Sequence, residues 1–361
     1  MADPVSLGRH RPFLDLWRAH TLASLSSSVT TLALPLVAAT RLDASALEMG
    51  LLGMMATLPN LVVGLFAGVW ADRARRRPTL VAAHVGRALL LASIPVALAL
   101  GAMTIQQLYA VLFLCGTLTT FFDVTQAAYL PLLVGRARLL AANSRLAAST
   151  SAATALGPGL AGALIGLVGA PLAVLADAAA LLAAAALVGR IGVPEPRPEP
   201  ARGGVWTTIA AGLRLLYAHP LLRSVAGSSM LYLFFGSVML AVYVLYATRE
   251  VGMSPAALGA VYGVGGAGAV AGAGLAVRIT RRLDLGRAMI GANLVGGLSV
   301  LLVPLAGGAA SPAAALGLLG LAQGGSQFMG AVFCSTSTRR AWCRGPRPRT
   351  CSGGWSPATA S

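Results

Sequence analysis

Ten long apolar segments constrain this chain more than any other feature of its sequence. Each contains about 20 mostly apolar residues, the length that an α-helix needs to cross roughly 30 Å of hydrocarbon at 1.5 Å per residue. Charged residues make up 11% of the chain, whereas soluble domains carry roughly 25%. A soluble protein of 361 residues cannot cover its surface with so few charges, so we predict an all-α protein that crosses a membrane many times.

A proline-rich charged stretch, VPEPRPEP, separates six apolar segments from the remaining four and is typical of a linker. We predict an N-terminal six-helix bundle over residues 1–190 and a linker with an amphipathic surface helix over 191–220. A second bundle of about four helices is expected over 221–333, followed by a basic tail over 334–361. The predicted spans cover residues 19–40, 47–71, 78–100, 105–133, 147–169, 171–190, 221–247, 255–277, 286–305 and 312–333.

The positions of the arginines predict the orientation of the bundle. Nineteen arginines precede the first span or follow the even-numbered spans, whereas Arg41 and Arg249 are the two that follow odd-numbered spans. Positive charge accumulates on the cytoplasmic side of membrane proteins. The amino terminus and the linker are therefore expected in the cytoplasm, with the protein in the inner membrane of a bacterium.

The formal net charge of +16 raises the question of a nucleic-acid partner. All 27 basic residues are arginine, and they fall between apolar runs rather than on one face. A GC-rich genome explains this usage, because its codons favour arginine, alanine, glycine and proline. We expect no nucleic-acid partner.

The turn between spans 2 and 3 carries Gly68, Asp72, Arg73, Arg76 and Arg77. A glycine lets two helices approach closely, and the simplest interpretation of the arginines is a positive-inside turn. The spacing, however, resembles G-x-x-x-D-R-x-G-R-R, a gating motif of the major facilitator superfamily that occupies the same loop.

Span 5 carries Gly157, Pro158 and Gly162 in the order G-P-x-x-x-G. Proline removes a backbone hydrogen bond and kinks a helix, and the flanking glycines allow the kink to pack against a neighbour. An ordinary transmembrane kink would have the same local sequence. The pattern also resembles the antiporter signature of the superfamily, and the segments 46–50, 130–131 and 142–145 resemble its multidrug and siderophore exporters, which include enterobactin exporters and macrolide efflux pumps.

The resemblance covers about residues 10–332 and implies a twelve-helix fold in two six-helix halves. It implies alternating access, with export of an amphipathic small molecule in exchange for protons. The expected partners are this substrate, protons and the lipid bilayer. We expect a monomer without a cofactor.

Two charges lie near the middle of adjacent spans and are functional candidates, because an ionisable group inside a membrane is costly. Arg87 in span 3 and Asp123 in span 4 each lie about ten residues, or roughly 15 Å, from the cytoplasmic end. They are expected to be able to pair. The pair is either a lock that opens when Asp123 binds a proton or substrate, or a static link between two helices.

Asp177 in span 6 is a further candidate, either as a second titrating group or as a side chain that reaches outward to water. Gln126, Gln323 and Gln327 are candidates for the transport path, although polar residues often bond only between helices.

A G-x-G-x-x-G pattern at 263–268 imitates a dinucleotide-binding loop. Such a loop must lie between a strand and a helix, whereas this one lies within an apolar run. We interpret its glycines as small residues for close helix packing. The histidines, acids and cysteines form no catalytic or metal-binding pattern, so neither an enzyme nor a metal site is expected.

After residue 333 the superfamily pattern stops, and the tail contains five arginines and three cysteines without an aliphatic run. This composition indicates a shifted reading frame, the alternative being a genuine basic cytoplasmic tail. A proton-coupled exporter altered at its carboxyl end is therefore the leading hypothesis. The two rivals are a non-transporting truncated product and a membrane-embedded enzyme.

Overall fold

The protein is an all-α bundle, described by a computed structural model over residues 7–195, 242–282, 285–307 and 314–328 and at five single positions between 214 and 236. Short 3₁₀ turns occupy Leu7–Arg9 and Arg136–Arg138. The first half contains α1 (Arg11–Arg41), α2 (Ala46–Arg73), α3 (Arg76–Ala99), α4 (Ile105–Val134), α5 (Leu139–Val168) and α6 (Ala170–Gly189). The described second half contains α7 (242–249), α8 (Pro255–Arg282), α9 (Leu285–Val300), α10 (Leu302–Gly307) and α11 (314–328).

All six membrane spans predicted in the first half are confirmed as helices of membrane-spanning length and composition. Two of them begin about two turns earlier than predicted, α1 at Arg11 instead of residue 19 and α5 at Leu139 instead of residue 147. Hydropathy detects only the part of a helix that lies in lipid, and these polar first turns extend beyond it. The predicted surface helix and most of the seventh span lie outside the described residues.

The helix ends follow from local sequence. Ser45 and Glu48 form a reciprocal capping box at the start of α2, in which the Ser45 amide donates to the Glu48 carboxylate at 2.8 Å. Gly135 ends α4 with a φ of 72°, and Gly169 ends α5 with a φ of 83°. Backbone with this sign of φ favours glycine, so each residue provides a sharp turn into the next helix.

The packing of the first half places its core around α1, α3 and α6. α1 packs against α5 and α6, α3 packs against α4 and α6, and α2 packs against α4. Side chains such as Phe13, Leu91 and Leu181 are fully buried between these helices. Large apolar side chains also cover the outside of the bundle, including Leu89 and Leu160, as expected where helices face lipid.

The two halves meet where α5 packs against α8, and this contact depends on residues without side chains. A Cβ added at Gly259 would lie 2.5 Å from the Gly162 Cα and 3.1 Å from the Pro158 carbonyl oxygen. A Cβ at Gly266 would collide with the backbone of Ala155. Gly162 of span 5 and Gly266 of the 263–268 pattern thus lie in a close helix contact of the kind predicted.

No close helix contact of the kind predicted at Gly68 is found among the described residues, where an added Cβ would meet no atom within 4 Å. The side chains of Asp72 and Arg73, predicted to form the gating motif with it, lie outside the described residues.

The start of α3 is fixed by the beginning of the linker. The Glu195 carboxylate accepts hydrogen bonds from the Arg76 amide at 2.8 Å and from the Arg77 amide at 2.7 Å. The Arg77 guanidinium in turn donates to the Gly189 carbonyl at the end of α6. A carboxylate at a helix amino terminus satisfies unpaired amides and interacts favourably with the helix dipole.

Replacing Glu195 with alanine is expected to destabilise the folded protein by about 1 kcal/mol, because two amides at the start of α3 lose their acceptor. Thermal unfolding of the purified protein in detergent measures the effect. Glu250→Ala is the matched control, since Glu250 is exposed at the end of α7. Equal midpoints for the two variants would contradict a stabilising role of the Glu195 carboxylate.

Candidate functional site

A cavity of about 370 Å³ lies in the middle of the bundle, between the two halves of the chain. Helices α1, α3, α4 and α5 provide most of its wall, and α8 and α11 close the opposite side. The lining residues of α1, α3, α4 and α5 lie in the central turns of these helices, so the cavity is at mid-bundle depth. The polar and aromatic ones are His20, Ser24, Ser27, Ser28, Thr31, Arg87, Thr119, Phe122, Asp123, Thr150, Thr154, Tyr262, Gln323 and Gln327.

Four of the six residues predicted for the transport path line this cavity, namely Asp123, Arg87, Gln323 and Gln327. The other two, Gln126 and Asp177, lie in the surrounding protein and are both buried. The polar residues of the two halves thus converge on one space, although they are separated by about 200 residues in the sequence.

The ion pair expected between Arg87 and Asp123 is not present. Both side chains reach the cavity, but the ion pairs among the described residues are Arg18–Asp15 and Arg249–Asp43. Arg87 instead donates from a terminal nitrogen to the Ser27 hydroxyl at 3.0 Å. Asp123 is exposed towards the cavity. Adjacent helices bring the two residues to the same space, but the Asp123 carboxylate makes no ion pair with any described residue.

His20 belongs to this site and was not predicted. Its Nε2 lies 3.0 Å from the Thr150 hydroxyl. Its Nδ1 lies 3.3 Å from the Gln126 amide oxygen and 3.2 Å from the amide nitrogen, and the histidine tautomer decides whether Nδ1 donates to the oxygen or accepts from the nitrogen. Gln126, which is buried behind the cavity wall, thus fixes the position of the His20 ring. The sequence signal was a histidine at the apparent edge of an apolar run, but α1 begins at Arg11 and places His20 roughly 14 Å into the helix.

One of the two roles predicted for Asp177 requires its side chain to reach outward to water. The side chain does not reach it. Its side chain is 1% exposed and one carboxylate oxygen accepts a hydrogen bond from the Thr30 hydroxyl of α1. The reason is the orientation of α6, which turns this residue towards α1 and α3 rather than towards the bundle end.

The second-half wall of the cavity contains no charged residue among those described. Tyr262 and Gly266 come from α8, and Gln323 and Gln327 come from α11. A Cβ at Gly265 would lie 2.6 Å from the Gln323 Cγ, so a glycine is needed for α11 to approach α8 this closely. Charged groups therefore lie on one side of the cavity, and neutral hydrogen-bonding and aromatic groups on the other.

The contact between α5 and α8 runs from the cavity to the end of the bundle where α1 ends. From Ala155 against Gly266 it continues through Gly162 against Gly259 to Gly166, where an added Cβ would lie 3.5 Å from Ala256. At that end Arg249 pairs with Asp43 in the turn after α1, and its guanidinium also lies 3.4 Å from the Ala39 carbonyl. The two halves are thus joined on this side of the cavity.

A mid-bundle cavity between six membrane-length helices and helices of the second half is typical of a multi-pass membrane transporter. Comparison with protein families agrees, since the Major Facilitator Superfamily matches residues 16–342. The chain belongs to this superfamily. Comparison with curated proteins gives no significant match.

Solved structures of transporters share the fold at low sequence identity. A bacterial homologue of the human lysosomal transporter Spinster, inward-facing and unoccupied, is 15% identical with a TM-score of 0.68, over 91% of this chain and 75% of that one. The nucleoside transporter NupG is 11% identical with a TM-score of 0.71, over 91% and 82%. A bacterial homologue of the iron transporter ferroportin, inward-facing, is 17% identical with a TM-score of 0.61, over 93% and 85%.

Proposed function

We propose that this protein is a secondary transporter that exports amphipathic small molecules from the bacterial cytoplasm in exchange for protons. The observation that carries the proposal is the central cavity, into which a free carboxylate, that of Asp123, projects between two transporter halves. The amino terminus and the linker face the cytoplasm in this proposal, and the protein acts as a monomer in the inner membrane.

The chemistry of the lining supports an amphipathic substrate. Leu32, Phe122 and Pro158 provide apolar surface, and aromatic or aliphatic walls of this kind take up the apolar part of a small molecule. Polar groups lie on opposite sides of the cavity, with Asp123 on α4 and Gln323 on α11. A substrate with a polar or charged end and an apolar body satisfies both kinds of surface.

Proton coupling is supported by the position of Asp123. A carboxylate inside a membrane is costly unless it is paired or can be neutralised by a proton. Asp123 has no ion-pair partner among the described residues and is accessible from the cavity. Proton binding at Asp123 and substrate binding in the same cavity then compete for one space, which is the requirement for exchange.

Alternating access follows from the contact between the halves. The α5–α8 packing and the Arg249–Asp43 pair join the halves on the side that the arginine distribution predicts to be outer. Export requires this contact to open while the opposite side closes. Small residues suit this movement, because two glycine surfaces separate without disrupting interlocked side chains.

Transport by the purified chain reconstituted in liposomes tests the function. With an imposed pH gradient, ethidium, a cationic amphipathic dye, or fluorescein, an anionic one, is expected to move against the proton flow. An ionophore that collapses the gradient should stop the movement, and liposomes without protein are the control. Dye movement in the same direction as protons, or no movement of either dye above that control, would contradict proton-coupled export of this class of substrate.

A further inference from the structure

Two buried charged side chains, one at the cavity wall and one behind it, each have a hydrogen-bonding atom without a partner in the described structure. Arg87 donates to the Ser27 hydroxyl at 3.0 Å, but its Nε is buried and makes no hydrogen bond in the described structure. Asp177 accepts from Thr30 with one oxygen, and its second oxygen is likewise buried and without a partner. A buried charged group normally uses its hydrogen-bonding capacity in full. Each side chain therefore has one hydrogen-bonding atom that is buried in protein and not bonded to any described residue.

These two groups lie on one side of α1. Their partners Ser27 and Thr30 are three residues apart, so they share a face of the helix, with Cβ atoms about 5–6 Å from each other. Helix α6, which carries Asp177, packs against both α1 and α3, and α3 carries Arg87. Arg87 thus lies between a carboxylate in the cavity and a carboxylate in the protein interior.

The net charge of Arg87, Asp123 and Asp177 determines how many protons the three groups bind. One guanidinium and two carboxylates carry a net negative charge, which is unfavourable at mid-membrane depth. One bound proton makes the set neutral, and the guanidinium then pairs with whichever carboxylate lacks that proton. Two arrangements satisfy this condition, either Asp123 paired and Asp177 protonated, or Asp177 paired and Asp123 protonated.

We propose that Arg87 exchanges between Asp123 and Asp177 and that the three groups share one proton. This inference rests on the proposed function, in which Asp123 takes up protons from the cavity. When the shared proton passes from Asp177 to Asp123, the guanidinium is released from Asp123 and pairs with the ionised Asp177. Asp177 is thereby a positioning residue, because it holds Arg87 away from the cavity while Asp123 carries the proton.

Other titratable groups surround Arg87, and none of them replaces Asp177 in this role. They are His20 on α1, His84 on α3 and Cys115 on α4. The two histidines would add positive charge beside a cation, which is unfavourable. Cys115 is a buried thiol, a weak hydrogen-bonding group that carries no negative charge in its usual form.

Infrared spectroscopy tests the shared proton, because a protonated carboxyl absorbs separately from a carboxylate. The full-length chain is purified in lipid at neutral pH, without dye or gradient. We expect one protonated carboxyl that disappears in Asp123→Asn and also in Asp177→Asn, because either change leaves Arg87 with one permanent partner. In Arg87→Gln we expect two protonated carboxyls, since the cation is lost and both acids remain.

Asp15→Asn is the matched control and should leave the signal unchanged, since Asp15 interacts with Arg18 outside the cavity. A signal that survives in either Asp123→Asn or Asp177→Asn would overturn the proposal, because the proton would then belong to the other acid alone. Absence of any signal in the wild-type protein would do the same. If an aspartate variant does not fold, the Arg87→Gln spectrum remains as a test. A carboxyl signal in this variant equal to that of the wild-type protein would overturn the proposal. The spectra do not depend on transport, so they test the shared proton separately from proton-coupled export.

Discussion

Proton-driven export is expected to be abolished when Asp123 is replaced by asparagine. Asparagine keeps the size of the side chain and its hydrogen-bonding capacity but cannot bind and release a proton. Dye movement driven by a pH gradient in proteoliposomes is expected to fall to the level of protein-free liposomes. Membrane insertion and the amount of purified protein should be unchanged, because Asp123 faces the cavity and makes no ion pair in the described structure.

The control for this prediction is Asp15→Asn, which removes an acid at the beginning of α1 outside the cavity. It should export dye at the wild-type rate. Export by Asp123→Asn at that same rate would remove this residue from the coupling mechanism, whatever its position in the cavity.

The second large effect is expected from Gly259→Ala in the contact between the halves. A methyl group there would lie 2.5 Å from the Gly162 Cα and 3.1 Å from the Pro158 carbonyl, which are backbone atoms that cannot rotate away. Overpacking of this kind costs about 1–3 kcal/mol. The expected results are a lower midpoint of thermal unfolding and a severe loss of export, because α5 and α8 can no longer close against each other.

Gly274→Ala is the matched control on the same helix. A Cβ at Gly274 meets no atom within 4 Å among the described residues, and alanine favours a helix over glycine by about 1 kcal/mol. This variant should be equally or more stable than the wild-type protein. If both variants unfolded at the same temperature, the close α5–α8 contact would not contribute to the fold.

The helices of the first half were predictable because each is determined by a local property, the length of an apolar run. The residues at which these helices begin were less predictable. The first turns of α1 and α5 are polar and lie beyond the apolar run, so hydropathy does not detect them. That displacement hid His20, which appeared to lie at a membrane edge and in fact lies within the cavity wall.

The charged residues of the site were predictable one at a time, because any ionisable residue within a span is unusual. Their pairing was not. Whether Arg87 contacts Asp123 or Ser27 depends on how α1, α3 and α4 are rotated about their axes, and a sequence of similar apolar residues does not specify rotation. Gly68 illustrates the same limit, since the presence of a glycine does not reveal whether a neighbouring helix lies against it.

The ion pair at the predicted outer end differs from the helix packing beside it in its response to ionic strength. Asp43 is 96% exposed and Arg249 is 37% exposed, so dissolved salt screens their attraction, with a Debye length of about 10 Å at 0.1 M. The glycine surfaces of α5 and α8 carry no charge, and salt does not weaken their contact. A rise in the ionic strength of the solution at that end would therefore weaken only one of the two components that join the halves there.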